Sequence, residues 1–202
     1  MTDRKEVPSN PRVTVDLSQY RNPPSLNKGA SLTKRVVWHF VNAALLQNPL
    51  NPSSRLKILA LKAFGARIGR GCLLKPRINI KAPWHITLGD HTWIGEGAWI
   101  DSLAAVRIGS HVCISQDVYL CCGNHDWKDP RFGKSVAPIT IENGAWLAAR
   151  STIMGGVTIG THAVVAAGSI LTQSANPYTI YAGNPARSVK ERILRGNISS
   201  GQ

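Results

Sequence analysis

The chain has 202 residues, 43% of them hydrophobic, and a formal net charge of +13. This length suits one domain with a real core, and no run approaches the ~20 apolar residues that a membrane-spanning helix needs. Eleven Lys/Arg face three Asp/Glu in residues 1–67, a bias pointing to an anionic cofactor or membrane surface; nucleic acid is disfavoured, because no reading motif or aromatic interleaving accompanies the cations.

The start of the chain, MTDRKEVPSN, is polar and lacks the apolar core of a secretion signal, so the cytoplasm is the expected compartment. Residues 1–30 hold Pro8, Pro11, Pro23 and Pro24 among few apolar residues and read as an extended arm with little core. From Ser31 to about Gln47, and from Ser53 to Phe64, apolar runs follow a Ser able to cap a helix, with NPLNP between them. A helical cap is therefore predicted over 31–67. Trp38, Phe40, Val41, Leu45 and Leu46 either touch a membrane or cover the open end of the core that follows. Covering is favoured, since repeat arrays need caps.

Between Ile68 and Leu171 an aliphatic residue recurs every six positions. Leu88, Ile94, Ile100 and Val106 form one run, Ile108, Ile114 and Leu120 a second, and Leu147, Ile153, Ile159, Val165 and Leu171 a third. Six fits neither a helix nor a simply alternating strand, so the repeat is itself the structural unit. The fifth position of each unit is small or short, as at Thr92, Ala98, Ala104, Val112, Val118, Ala145, Ser151, Val157, Ala163 and Ser169. One large and one small inward residue per unit suit a short strand followed by a corner. Three such strands per turn close a triangular coil of about eighteen residues, and about five coils fill 68–176.

The register slips by two at Val106–Ile108, whereas Leu120 to Ile141 spans 21 residues, so 121–138 must leave the coil. Its Gly, Pro, Asn and Asp residues make it a loop, and loops held by a rigid scaffold concentrate functional groups. His125 stands at its start with a carboxylate beside it. His91, His111 and His162 instead occupy corner positions and read as solvated, as do His39 and His85. Cys72, Cys113, Cys121 and Cys122 have no CxxC spacing, so reduced thiols and no structural zinc are expected. Residues 177–202 are predicted to close the coil with a short helix ending near Arg195.

The hexads Ile94-Gly95-Glu96-Gly97-Ala98-Trp99 and Ile159-Gly160-Thr161-His162-Ala163-Val164, the loop VYLCCGNHDWKDPRFG and the run IYAGNPARSVKER occur together. This combination resembles the hexapeptide-repeat acetyltransferases over roughly residues 30–195. Within them it is most similar to those of bacterial exopolysaccharide clusters, and more distantly to galactoside, maltose and nodulation-factor O-acetyltransferases. The resemblance implies an all-β fold, a left-handed parallel β-helix, assembled as a homotrimer with sites between subunits. It implies acetyl-CoA as co-substrate and a sugar or lipid-linked saccharide as acceptor; the charge of the basic N-terminal segment suits a place near anionic lipid.

By the same resemblance, His125 matches the general base and Trp146 an aromatic bordering the acetyl-donor site. Ala149, Ala167 and Thr172 match positions lining the pantetheine arm of coenzyme A, and Arg187 and Lys190 match cations that meet its phosphates. Gln173 stands where relatives commonly carry Lys. Acceptor contacts fall on Asp101, read as outward-facing, Asn124 and Asp126, and Asp126 is also a candidate to orient His125. Several alternatives stay open: an acyl-cysteine route through Cys121 or Cys122, a free small sugar or xenobiotic as acceptor, and a catalytically silent scaffold. A γ-carbonic-anhydrase-like metalloenzyme is a further one, although its His spacing is missing among His85, His91, His111 and His125.

Overall fold

The computed structural model describes residues 13–22 and 29–195. The four prolines of the predicted arm and the last seven residues lie outside the described residues. The inward aliphatic residues stack in register on three parallel sheets. Ile68, Leu88, Ile108, Ile141 and Ile159 succeed one another on the first sheet. Leu74, Ile94, Ile114, Leu147 and Val165 do so on the second, and Ile80, Ile100, Leu120, Ile153 and Leu171 on the third. None of the fifteen is more than 8% exposed. The short fifth-position residues are buried with them, except the half-buried Ala104, so one continuous core fills a five-coil β-helix of triangular section.

Coil length varies at one corner only. Partners along the first sheet are separated by 20, 20, 33 and 18 residues. The slip at Val106–Ile108 is thus a two-residue extension where the third sheet hands over to the first, and Ile86, Val106 and Ile139 use it to add a second inward residue to their strands. The 33-residue step holds the extruded loop at that same corner. Other corners turn through left-handed backbone at Gly71, Gly97, Gly144 and Gly168, or at Arg77, His91, His111, Asp117, Arg150 and His162. His91 and His111 stack on one another along such a corner, 5.3 Å apart, which gives both a structural place.

A parallel coil exposes unpaired N–H and C=O groups at each end, and burying them unpaired costs about 1–3 kcal/mol apiece. At the N-terminal end, two helices supply the missing partners. α1 (Leu32–Val41) is capped by Ser31 and continues as a π-helical turn, Asn42–Leu46; α2 (Ser54–Ala63) is capped by Ser53. Trp38 Nε1 donates to the Ile80 carbonyl at 2.8 Å, and Asn42 Oδ1 accepts from the Ile80 N–H. Ser54 Oγ both accepts from the Leu74 N–H and donates to its carbonyl. The buried Lys57 Nζ donates to the carbonyls of Asn51 and Leu74, and burial pushes its ammonium below the usual lysine range. Trp38 and Leu46 therefore seal the core, while Phe40 stays 67% exposed. Among the described residues no helix is long and apolar enough to cross a membrane.

The C-terminal end differs from the sequence expectation. No helix forms before Arg195; strands Thr179–Gly183 and Ala186–Glu191 make an antiparallel hairpin whose first strand adds in parallel to Val164–Val165. The β-branched and aromatic run Tyr178-Thr179-Ile180-Tyr181 meets a sheet edge that needs a strand, and the Gly-Asn-Pro turn sends the chain back. Arg192 then donates to the carbonyls of Gly144 and His162. Trp38→Ala removes both a buried indole and an edge partner, and is expected to destabilise the protein by about 3–5 kcal/mol, read from chemical denaturation; a loss below about 1 kcal/mol would show that the cap is not needed to seal the coil.

Candidate active site

The loop leaves the third sheet after strand Tyr119–Cys121, runs out as Gly123–His125 and returns antiparallel as Lys134–Val136, so that His125 faces Lys134. The N–H of Ala137 donates to the Cys122 carbonyl at 3.0 Å and closes the base of this hairpin. His125 is half-buried, with Nδ1 2.8 Å from the carbonyl oxygen of Phe132. A carbonyl can only accept, so Nδ1 carries a hydrogen, and in the neutral ring Nε2 keeps the lone pair. The Phe132 ring also lies flat on the imidazole, 4.4 Å away at 7°, and Tyr20 from the N-terminal arm approaches to 6.1 Å. The arm's only aromatic thus packs beside the loop, and Asp16 N–H donates to the Pro130 carbonyl.

Asp126 does not orient the imidazole. Its Oδ1 accepts from the Lys128 N–H at 3.0 Å, forming a turn, and Phe132 takes the orienting role instead. Neighbouring side chains on extended backbone point apart, which is why sequence adjacency misleads here. Asn124 Oδ1 accepts from the His125 N–H at 2.8 Å. Asp101 is 5% exposed, so the outward reading is corrected. The departing loop covers it: a Cβ built on Gly123 would come within 2.9 Å of Oδ2. Lys81 Nζ sits 2.9 Å from its other oxygen.

Next to Asp101, burial raises the Tyr119 hydroxyl above its ordinary pKa, helped by Cys121 and Asp101. Burial likewise pushes the Cys122 thiol up to about 12. A thiol so shifted holds almost no thiolate at neutral pH, and the thiolate is the nucleophile. Cys121 is half-buried with Sγ 3.0 Å from the Gly123 carbonyl oxygen. Among the described residues, no three His, Cys, Asp or Glu side chains converge as a metal site.

The residues that the resemblance matched to the donor are spread over the coil. Ala149 and Ala167 share the corner between the second and third sheets, where the N–H of Gly168 donates to the Ala149 carbonyl at 3.0 Å. Trp146 stands outward on the second sheet, its Nε1 donating to Ser115 Oγ at 3.0 Å. Thr172 follows strand Ile170–Leu171, at the corner from which the His125 loop departs two coils earlier. Arg187 and Lys190 are exposed on the last strand. Within one chain, His125 and the Ala149–Ala167 corner therefore flank opposite edges of the third sheet. A cavity of about 640 Å³ opens on the loop's other side, between α1 and the third sheet, with Leu103 and Lys134 on its wall.

The family model for bacterial transferase hexapeptide (six repeats) matches residues 138–173. WcaF of Escherichia coli (strain K12), an acetyltransferase named for colanic acid biosynthesis, is 35% identical over 178 residues, spanning 88% of this chain and 97% of WcaF. The chain belongs to the hexapeptide-repeat acetyltransferases. A hexapeptide-repeat-containing acetyltransferase of Vibrio cholerae O1 biovar eltor, solved complexed with acetyl coenzyme A, superposes with a TM-score of 0.74 at 25% identity, covering 82% of this chain and 92% of that one. A galactoside acetyltransferase in complex with coenzyme A gives 0.71 at 27% identity, covering 80% and 82%. The shared fold is the left-handed parallel β-helix.

Sequence reasoning missed Phe132 and Tyr20. The signal for Phe132 was Pro130-Arg131-Phe132-Gly133, a turn sequence that here places Phe132 at φ +52° and brings both its carbonyl and its ring to His125. Cys122 burial makes a testable statement about the thiols. At about pH 8, iodoacetamide is expected to label Cys113 and Cys121 in the folded protein and to spare Cys122, as read by peptide mass spectrometry. Labelling of Cys122 as fast as in denaturant would restore the acyl-cysteine route.

Proposed function

We propose that the protein is an acetyl-CoA-dependent O-acetyltransferase of a saccharide hydroxyl, with His125 as general base. The observation that carries this is the fixed tautomer: the Phe132 carbonyl holds Nδ1–H and leaves Nε2 free to accept a proton. Nε2 takes the acceptor's hydroxyl proton as the oxygen attacks the thioester carbonyl carbon of acetyl-CoA. The tetrahedral intermediate collapses with breakage of the C–S bond, and the departing thiolate recovers the proton from the imidazolium. Throughout, the Phe132 carbonyl stays hydrogen-bonded to Nδ1–H and holds the ring's orientation. No covalent enzyme intermediate is needed, in keeping with the raised Cys122 pKa.

On the donor side, Trp146, Ala149, Ala167 and Thr172 line the pantetheine arm, and Arg187 and Lys190 meet the phosphates. Methyl side chains at Ala149 and Ala167 leave corner backbone open to the amides of an extended thioester. Asp101, Asn124 and Asp126 lie around the acceptor side, the buried Asp101 acting through Lys81. WcaF, named for colanic acid biosynthesis, supports a sugar of an exopolysaccharide or lipid-linked oligosaccharide as acceptor.

Because His125 and the Ala149–Ala167 corner sit apart on one chain, a complete site needs a second copy. The second sheet supports this: Trp93 and Trp146 stand out from it, 56% and 43% exposed, as a face suited to burial in a homotrimer. The basic N-terminal region and the exposed Leu32, Val36, Val37 and Phe40 of α1 support contact with an anionic bilayer.

His125→Ala is expected to lower kcat by about 10²- to 10⁴-fold while calorimetry finds coenzyme A bound as before; unchanged kcat would remove His125 from the mechanism. When His125→Ala is refolded together with Ala149→Trp, mixed trimers should regain transfer that neither variant has alone. An inactive mixture would mean that sites are not shared. In flotation, the protein should rise with phosphatidylglycerol vesicles and not with neutral ones; equal behaviour would exclude the anionic surface.

A further inference from the structure

The cavity beside the His125 hairpin has a charge pattern that a neutral sugar does not require. Its walls include Arg35 from α1, Lys81 after the first third-sheet strand, and Lys134 from the hairpin itself, and among the described residues no Asp or Glu lines it. Asp101, just behind the wall, pairs with Lys81 at 2.9 Å. Arg35 and Lys134 form no ion pair among the described residues, and Arg35 Nε is buried without a hydrogen-bond partner. A buried cationic donor left unpaired is costly, and an anion placed against it recovers a charge-assisted hydrogen bond. Counting Asp101 against the three cations leaves two positive charges in excess, the charge that a phosphate monoester or a pyrophosphate diester would balance.

Aromatic surface lies next to these cations. Trp99 is 43% exposed and stacks on Tyr119 at 4.6 Å, which fixes its indole plane on the cavity wall. Trp84 lies on the same wall. His85 Nδ1 sits 2.9 Å from the Ser102 carbonyl oxygen and donates there, while Gly29 packs against its Nε2, where a Cβ would come within 2.4 Å. Flat apolar faces with a few polar groups at their rims suit a saccharide ring. Lys134 pairs with His125 across the hairpin, so one wall of the cavity belongs to the strand beside the one that carries the imidazole.

We propose that this cavity selects a phosphate-bearing saccharide as acceptor, with Arg35 and Lys134 as counter-ions to the phosphate and Trp99 beneath the sugar. The proposal rests on the O-acetyltransferase reading for its role in catalysis, but the binding preference stands or falls separately. A glycosyl phosphate, a nucleotide sugar and a lipid-linked glycosyl pyrophosphate share the recognised chemistry.

Calorimetry with glucose 1-phosphate and with glucose tests the preference directly. The phosphate ester is expected to bind about tenfold tighter or more, and the gap should close in Arg35→Gln and in Lys134→Gln while coenzyme A affinity, measured alongside, reports an intact fold. Equal binding of the two sugars, or a preference that survives both substitutions, overturns the proposal. Acetyl transfer to glucose 1-phosphate, UDP-glucose and polyprenyl-pyrophosphoryl glucose in vesicles then identifies the source by its kcat/KM. A phosphate preference without transfer to any of the three would count against the catalytic reading and leave the site standing; transfer to neutral sugar at equal kcat/KM would do the reverse.

Discussion

Everything in this molecule depends on inward aliphatic residues falling directly above one another in parallel strands. Each coil buries its Ile, Leu or Val residues only because the next coil does the same, so a lone coil has neither a core nor paired backbone groups. The consequence is a rigid prism whose sides are interchangeable and whose ends are not. At the N-terminal end, Ser54 reproduces the hydrogen bonds of an absent strand with one hydroxyl, and Trp38 and Asn42 do so for Ile80. At the other end a real strand, Thr179–Gly183, does the same work. Two chemically different solutions therefore answer one constraint.

Rigidity of the prism is what makes the extruded loop useful. A hairpin rooted by the Ala137–Cys122 hydrogen bond at a fixed corner projects His125 in a defined direction, and the Phe132 carbonyl fixes which imidazole nitrogen is basic. Orientation by a carbonyl differs from orientation by a carboxylate, because it adds no full negative charge beside the ring. Asp101, the nearest buried carboxylate, is instead covered by the loop and neutralised by Lys81.

The repeat was legible because inward positions answer to one physical demand, close stacking, and the runs Leu88–Val106, Ile108–Leu120 and Leu147–Leu171 state it at every sixth residue. The corner from which the His125 loop departs was legible for the opposite reason, that 21 residues cannot fit between Leu120 and Ile141 without leaving the coil. What the sequence concealed lies in contacts between segments with no shared period. Asp101 follows Ile100 on its strand and gives no sign that Gly123 will lie over it. Tyr20 sits in a stretch of polar residues, and its place beside His125 depends on the arm's course across the loop. The closing segment was misread for a related reason: Ala186 to Arg195 has helix-compatible residues, and only pairing with Thr179–Gly183, itself held on the open edge at Val164–Val165, makes Ala186–Glu191 a strand.

The cap and the cavity cannot be separated. Trp38 and Asn42, which seal the third-sheet edge at Ile80, also line the cavity, and Arg35 lies one turn before Trp38 on the same helix. Helix α1 therefore meets two demands from neighbouring positions: apolar and amide groups turned to the coil end, a guanidinium turned to the cavity. A helix anchored by its first demand holds the second in place without further support, which is how an unpaired cation can be kept near the His125 hairpin. Sealing an edge thus supplies the wall of the cavity, and the same six-residue period that leaves the edge open fixes where that wall must stand.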